Sequence, residues 1–186
     1  MQSHDEIVAS LHRLMRFSQS VLVSRKIVEI AIEPKQTFWI MTLNLLFDAA
    51  SLEWCKVFGS FKEGTHWKNL VPKDQHNNVR RALLDAIGFT QREWEAYHKT
   101  IVDFRNQMVA HHDLNATVTI YPKYDSALLA SGFIFSELRS RADPDFLGGI
   151  PSSLDVWSRG VANNMTPIIK KAFEASAKLS LNIPNE

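Results

Sequence analysis

The sequence predicts an all-α fold, a helical bundle of five to six helices, and three observations favour it. Apolar residues recur at the three- and four-residue spacing of helices over most of the chain. Helix-starting pairs, Ser3 with Glu6 and Thr90 with Glu93, precede two of these runs. A strand is favoured only at residues 117–121. The chain is therefore expected to be helical, with at most one short strand.

Residues that start or stop helices set the expected bounds. Pro34 ends the first run because proline cannot continue a helix, whereas Thr37 and Gly59 bound the second. The second helix is apolar nearly all round, which predicts a place in the middle of the bundle. Pro167 is expected to kink or break the last helix. The expected helices are 3–32, 38–58, 75–87, 91–112, 125–142 and 154–180, with a single turn at 67–70.

Length and composition indicate one domain, residues 1–186, with a core of roughly 1–142 and a C-terminal helix, 154–180, packing on it. Hydrophobic residues make up 45% and charged residues 22%, as in ordinary globular proteins. The single cysteine, Cys55, excludes an internal disulfide and favours a reducing compartment. No signal peptide and no membrane span is recognised, so we expect a cytoplasmic protein without membrane contact. The net charge of +1 gives no overall attraction to nucleic acid.

The helix expected at 91–112 carries the most informative pattern. Its apolar seam comprises Trp94, Tyr97, Ile101, Phe104 and Met108, and His111 is the next position. A neighbouring stripe comprises His98, Val102, Arg105, Val109 and His112. On an ideal helix Arg105 and His111 are about 120° and roughly 9 Å apart. A site that uses both therefore needs a frayed helix end or a second copy across a twofold axis.

Residues 104–113, with the sequence FRNQMVAHHD, resemble the signature of the HEPN superfamily. In that signature an arginine and a polar residue, often asparagine, are followed a few residues later by a histidine. Arg105, Asn106 and His111 match it, and the small Ala110 before the histidine matches as well. The upstream segment at residues 37–39 and the turn at 67–70 resemble the abortive-infection branch. The resemblance covers roughly residues 37–113.

The resemblance implies a helical bundle that dimerises and brings two Arg/His motifs into one cleft. Many HEPN members are metal-independent endoribonucleases, often toxins or antiviral effectors, and others are binding or assembly modules. The expected function is therefore a metal-independent endoribonuclease of the toxin or phage-defence type. The expected partners are a second copy of the chain, an RNA substrate and an antitoxin protein. The alternative is a catalytically inactive HEPN-like dimer that binds a nucleotide, RNA or a protein.

The residue types suit RNA cleavage by the substrate's own 2′-hydroxyl. His111 titrates near neutral pH and suits acid–base work. Arg105 stays charged and matches phosphate oxygens, and Asn106 is suited to orient His111 or the ribose. Two accessory candidates remain open. His112 is an alternative to His111 as the base, and Asp48 is a candidate to position Arg105 or a histidine.

Other chemistry is disfavoured by spacing. His111 and His112 are adjacent, so their side chains diverge by about 100° on a helix and do not suit one metal ion together with Asp113. No metal and no cofactor is therefore expected. Cys55 lies in an apolar helix with Lys56 as its only basic neighbour in sequence, which favours a buried structural thiol.

Overall fold

The computed structural model of the chain describes residues 4–31, 36–110 and 121–177, and only the backbone of 108–110. Every regular element within these ranges is helical, which confirms the predicted all-α class. The α-helices of the described residues are α1 His4–Ile30, α2 Thr37–Phe58, α3 Trp67–Leu70, α4 His76–Ile87, α5 Gln91–Phe104, α6 Asp125–Arg139 and α7 Leu154–Ala177.

Local signals place most helix ends correctly. The Thr90 side chain accepts a hydrogen bond from the Glu93 N–H, and the Glu93 carboxylate accepts one from the Thr90 N–H. Gly88 ends α4 with a φ of 70°, a left-handed conformation that glycine adopts readily. Two boundary predictions are wrong. Thr37 is the first residue of α2 rather than its cap, and α6 ends at Arg139 rather than at residue 142. Of the kink or break expected at Pro167, the break does not occur, because α7 continues through this residue. Ser3 and most of the strand expected at 117–121 lie outside the described residues.

Helix α1, rather than α2, is the central helix of the described structure. It packs on α2, α6 and α7 along its length and contacts α3 as well. Its side chains Leu11, Leu14 and Phe17 are fully buried, and they form one core with residues of α2, α5 and α6. Burial of such side chains supplies most of the favourable free energy of folding. The core therefore forms around α1, and α2 lies on its flank.

The expectation that α2 is buried all round is wrong. Four of its large apolar side chains, spaced as one helix face, are between 41% and 65% exposed. We call this face the α2 stripe; it consists of Phe38, Met41, Leu45 and Leu52. Because α2 is apolar nearly all round, one apolar face packs on α1 and another remains exposed. Contiguous exposed apolar residues of this kind mark interaction surfaces.

A second, smaller core connects α7 to the beginning of α2. Trp39, Ile27 and Ile169 are buried there. The Trp39 Nε1–H also donates a hydrogen bond of 2.9 Å to the Ser176 Oγ near the end of α7. The C-terminal helix thus packs on α1 and on the first turns of α2.

Candidate active site around Arg105

The motif helix changes its type at Arg105. Helix α5 ends at Phe104, and residues Arg105–Ala110 continue it as a π-helix, the wider helix type whose hydrogen bonds join residues five apart. The Arg105 N–H itself still bonds the Ile101 carbonyl, as in an α-helix. The rotation expected between Arg105 and His111 assumed an α-helix, and that assumption is wrong for this stretch. Ile101 and Phe104 are buried and Trp94 and Tyr97 half-buried, as expected for the seam. His111 and His112 lie outside the described residues.

Helices α2 and α5 pack antiparallel, which brings the two halves of the predicted site to one end. The Phe58 ring is 5.9 Å from that of Trp94, and the Trp54 ring is 5.5 Å from that of His98. Residues nearer the start of α2 therefore lie beside residues nearer the end of α5. Asp48, further back on α2, consequently lies toward the π-helical end.

Arg105 is half-buried against α2. Its guanidinium lies near the thiol of Cys55, a side chain that is only 3% exposed. Burial raises the pKa of the Cys55 thiol, and the positive charge of Arg105 opposes that rise. The thiol is therefore neutral near pH 7, which excludes a thiolate nucleophile and fits the predicted structural role. In the sequence, Lys56 is the only basic neighbour of Cys55. Arg105, which is 50 positions later, comes near Cys55 only in the folded chain.

Two tyrosines, Tyr121 and Tyr124, contact α2 near the beginning of the π-helix. The Tyr121 ring lies 4.5 Å from that of Phe47 and 5.1 Å from that of Phe104. The hydroxyl of Tyr124 is 2.5 Å from the Ser51 Oγ, one turn after Asp48. Ser51, Cys55 and Asp48 share one face of α2, so they line the same junction.

The charge of Asp48 affects the two tyrosines of this junction. Burial raises the pKa of its carboxyl group. Its charge also adds to the effect of burial in raising the pKa values of Tyr121 and Tyr124. Among the ion pairs between described residues, none joins Asp48 to Arg105. The prediction that Asp48 positions a histidine involves His111 and His112, which lie outside the described residues.

Tyr97 fixes the segment that returns after the motif. Its hydroxyl donates a 2.7 Å hydrogen bond to the Lys123 carbonyl and accepts a 2.9 Å hydrogen bond from the Ala127 N–H in the first turn of α6. Burial raises the pKa of Tyr97 to about 12, so the hydroxyl keeps its proton. Sequence periodicity identified Tyr97 as a core residue, but it gave no sign of the two backbone hydrogen bonds. Tyr97, Tyr121 and Tyr124 are the supporting residues that the sequence did not identify.

Within the described ranges, no group of three or more His, Cys, Asp and Glu side chains is arranged to hold a metal ion. No helix in the same ranges is long and apolar enough to cross a membrane.

Comparisons with protein-family models, with curated proteins and with solved structures give no match for this chain. The resemblance to the HEPN signature therefore depends on the motif residues themselves and on their helical context.

Proposed function

We propose that the chain is a metal-independent endoribonuclease of the toxin or phage-defence type, with a HEPN-like fold. The observation that carries the proposal is the Arg105-Asn106-x-x-x-x-His111 pattern at the point where α5 becomes a π-helix. Such π turns inside helices are frequent at functional sites. The Arg105 guanidinium is half-buried, and no carboxylate of a described residue forms an ion pair with it. A guanidinium without a carboxylate partner among the described residues suits a phosphate.

The reaction we propose needs no bound metal. His111 removes the proton from the ribose 2′-hydroxyl, whose oxygen attacks the adjacent phosphorus while the bond to the 5′-oxygen breaks. The 5′-oxygen takes a proton from water as it leaves, His111 returns its own proton to the solvent, and a 2′,3′-cyclic phosphate remains. Arg105 stabilises the extra negative charge on the phosphate oxygens, and Asn106 orients His111 or the ribose. Asp48 and His112 are accessory to these groups.

We also propose that the active form is a homodimer. The α2 stripe is an exposed apolar face on the helix that packs against the motif helix, and Asp48 lies between Leu45 and Leu52 along it. A twofold axis near this face brings the motifs of two identical chains close to each other, so no second kind of chain is needed. The proposed place of action is the cytoplasm, with a cognate antitoxin as the restraining partner.

A second candidate function has one specific observation in its favour. Because the Arg105 guanidinium lies near the buried Cys55 thiol, where the π-helix packs on α2, it also suits a packing role. An arginine with that role alone fits a catalytically inactive dimer that binds a nucleotide, RNA or a protein. The two candidates differ in whether the purified protein breaks RNA.

The experiment that tests the proposal is incubation of the purified protein with total RNA in the presence and absence of a chelator. We expect cleavage to continue in the chelator and to leave cyclic phosphate or 3′-phosphate ends. Arg92→Ala, which removes an exposed arginine of the same helix, serves as the matched control for Arg105→Ala. Loss of cleavage in the chelator, restored by magnesium or zinc, contradicts the mechanism. Absence of cleavage under all conditions favours the binding module.

A further inference from the structure

An open cleft lies at the opposite end of α5 from Arg105. It has a volume of about 410 Å³ and lies among the end of α2, the turn of α3, and helices α4 and α5. Four aromatic side chains, Phe58, Phe61, Trp67 and Trp94, line it together with His66 and His98. The size is within the range of small-molecule sites. Phe58 and Trp67 are almost fully buried, so Phe61 and the half-buried Trp94 supply the accessible aromatic surface. Phe61, which is 57% exposed, leaves one of these surfaces accessible.

Two basic side chains also line the cleft. Lys68 and Arg80 both line it, and the pKa of Lys68 is lowered, first by burial and then by the charge of Arg80. The Lys68 Nζ lies 5.7 Å from the centre of the Trp67 ring. Neither cation takes part in any ion pair among the described residues. Two like charges beside one cavity, without an ion-pair partner in the described part of the chain, favour an anionic ligand.

The remaining polar groups of the cleft are already oriented. The His66 Nδ1 accepts a hydrogen bond from the Lys68 N–H, and the His98 Nε2 lies 2.6 Å from the Phe58 carbonyl. The Glu95 carboxylate accepts a 2.6 Å hydrogen bond from the Gln91 side chain and retains acceptor capacity for an amino group. The cleft thus combines stacking surfaces, two cations and a hydrogen-bond acceptor.

We propose that this cleft is a nucleotide-binding site, in which a base stacks on the aromatic wall and a phosphate binds Lys68 and Arg80. Aromatic surfaces bind bases by stacking, whatever the base, and basic side chains bind the phosphate. The same chemistry is offered by a free mononucleotide and by one unit of a single-stranded RNA. The site is separate from the Arg105 site and does not depend on the proposed ribonuclease activity.

The test is calorimetric titration of the full chain with AMP, GMP, CMP and UMP, and with a 2′-O-methyl hexanucleotide that lacks the attacking hydroxyl. Lys68→Gln and Arg80→Gln should each weaken binding by about tenfold, the scale of one charge-assisted hydrogen bond. Arg81→Gln removes the neighbouring exposed arginine, which does not line the cleft, and should change affinity by less than about twofold.

Stacking is tested separately from charge. Phe61→Ala should weaken binding by about fivefold or more, whereas Phe146→Ala, which removes a similarly exposed aromatic side chain outside the cleft, should not. If only the hexanucleotide binds, and the cleft variants weaken that binding, the ligand is a single strand of RNA. If the mononucleotides bind, the ligand is a free nucleotide. The proposal is overturned if neither binds at millimolar concentration. It is also overturned if the cleft variants bind like their controls, or if ribose 5-phosphate binds as tightly as AMP.

Discussion

Acid should destabilise the fold through one buried histidine, His66. Its side chain caps α3, and the residue is only 5% exposed. Burial, followed by the nearby charges of Lys68 and His98, lowers its pKa from an ordinary value of 6.5 to about 4. Between these two values the unfolded chain binds a proton that the folded chain does not bind. The free energy of unfolding should therefore fall as pH falls from about 6.5 to 4, and this group should have no effect above pH 7.

The size of the effect follows from the two pKa values. A difference of 6.5 − 4, about 2.5 pH units, corresponds to at most about 3 kcal/mol of unfolding free energy. Because the His66 ring lines an open cleft, solvent screening reduces the expected loss to about 1–2 kcal/mol. That is still a large part of the stability of a domain of this size.

The assay is urea unfolding at several pH values between about 4.5 and 7.5, followed by tryptophan fluorescence. His66→Asn keeps an acceptor for the Lys68 N–H and removes the titrating ring. The wild type should lose about 1–2 kcal/mol more than this variant on acidification. His12→Asn, at an exposed position of α1, should follow the wild type. Parallel curves for the wild type and His66→Asn would refute the reasoning.

Three further predictions concern packing and assembly. Gly59→Ala should destabilise the protein by about 1–3 kcal/mol in urea unfolding, because the added Cβ would lie 2.5 Å from the Cys55 carbonyl oxygen; an unchanged midpoint would contradict this. Tyr97→Phe removes two hydrogen bonds to backbone groups and should lower stability by about 1–3 kcal/mol in the same assay; a smaller effect would show that they contribute little. Leu45→Glu should convert the dimer to a monomer in light scattering, whereas Val156→Glu on α7 should not; a wild-type monomer at micromolar concentration contradicts the dimer.

The helices were predictable because their signals are local. The reciprocal hydrogen bonds of Thr90 and Glu93 and the left-handed Gly88 depend on residues within one turn of the helix ends. Such pairs are visible in a single sequence. The buried face of α1 was visible for the same reason, since Leu11 and Leu14 recur at helical spacing.

The position of α2 and the surroundings of Arg105 were not predictable, because they depend on residues far apart in sequence. Composition predicted that α2 is buried, but it does not distinguish burial within one chain from a surface left for a partner. The proximity of Arg105 to Cys55 and the hydrogen bond between Ser51 and Tyr124 join positions 50 and 73 residues apart. The change to a π-helix at Arg105 has no recognised sequence signal.

The central proposal is that Arg105 and His111 together cleave RNA, and single-turnover cleavage by their variants tests it most directly. Arg105→Ala and His111→Ala should each reduce the rate by at least about a hundredfold. The double variant should be little slower than either single variant, because both groups act on one phosphate. His112→Ala should have a much smaller effect. Circular dichroism must show that each variant remains folded. Cleavage at the wild-type rate by the folded double variant would contradict the proposal.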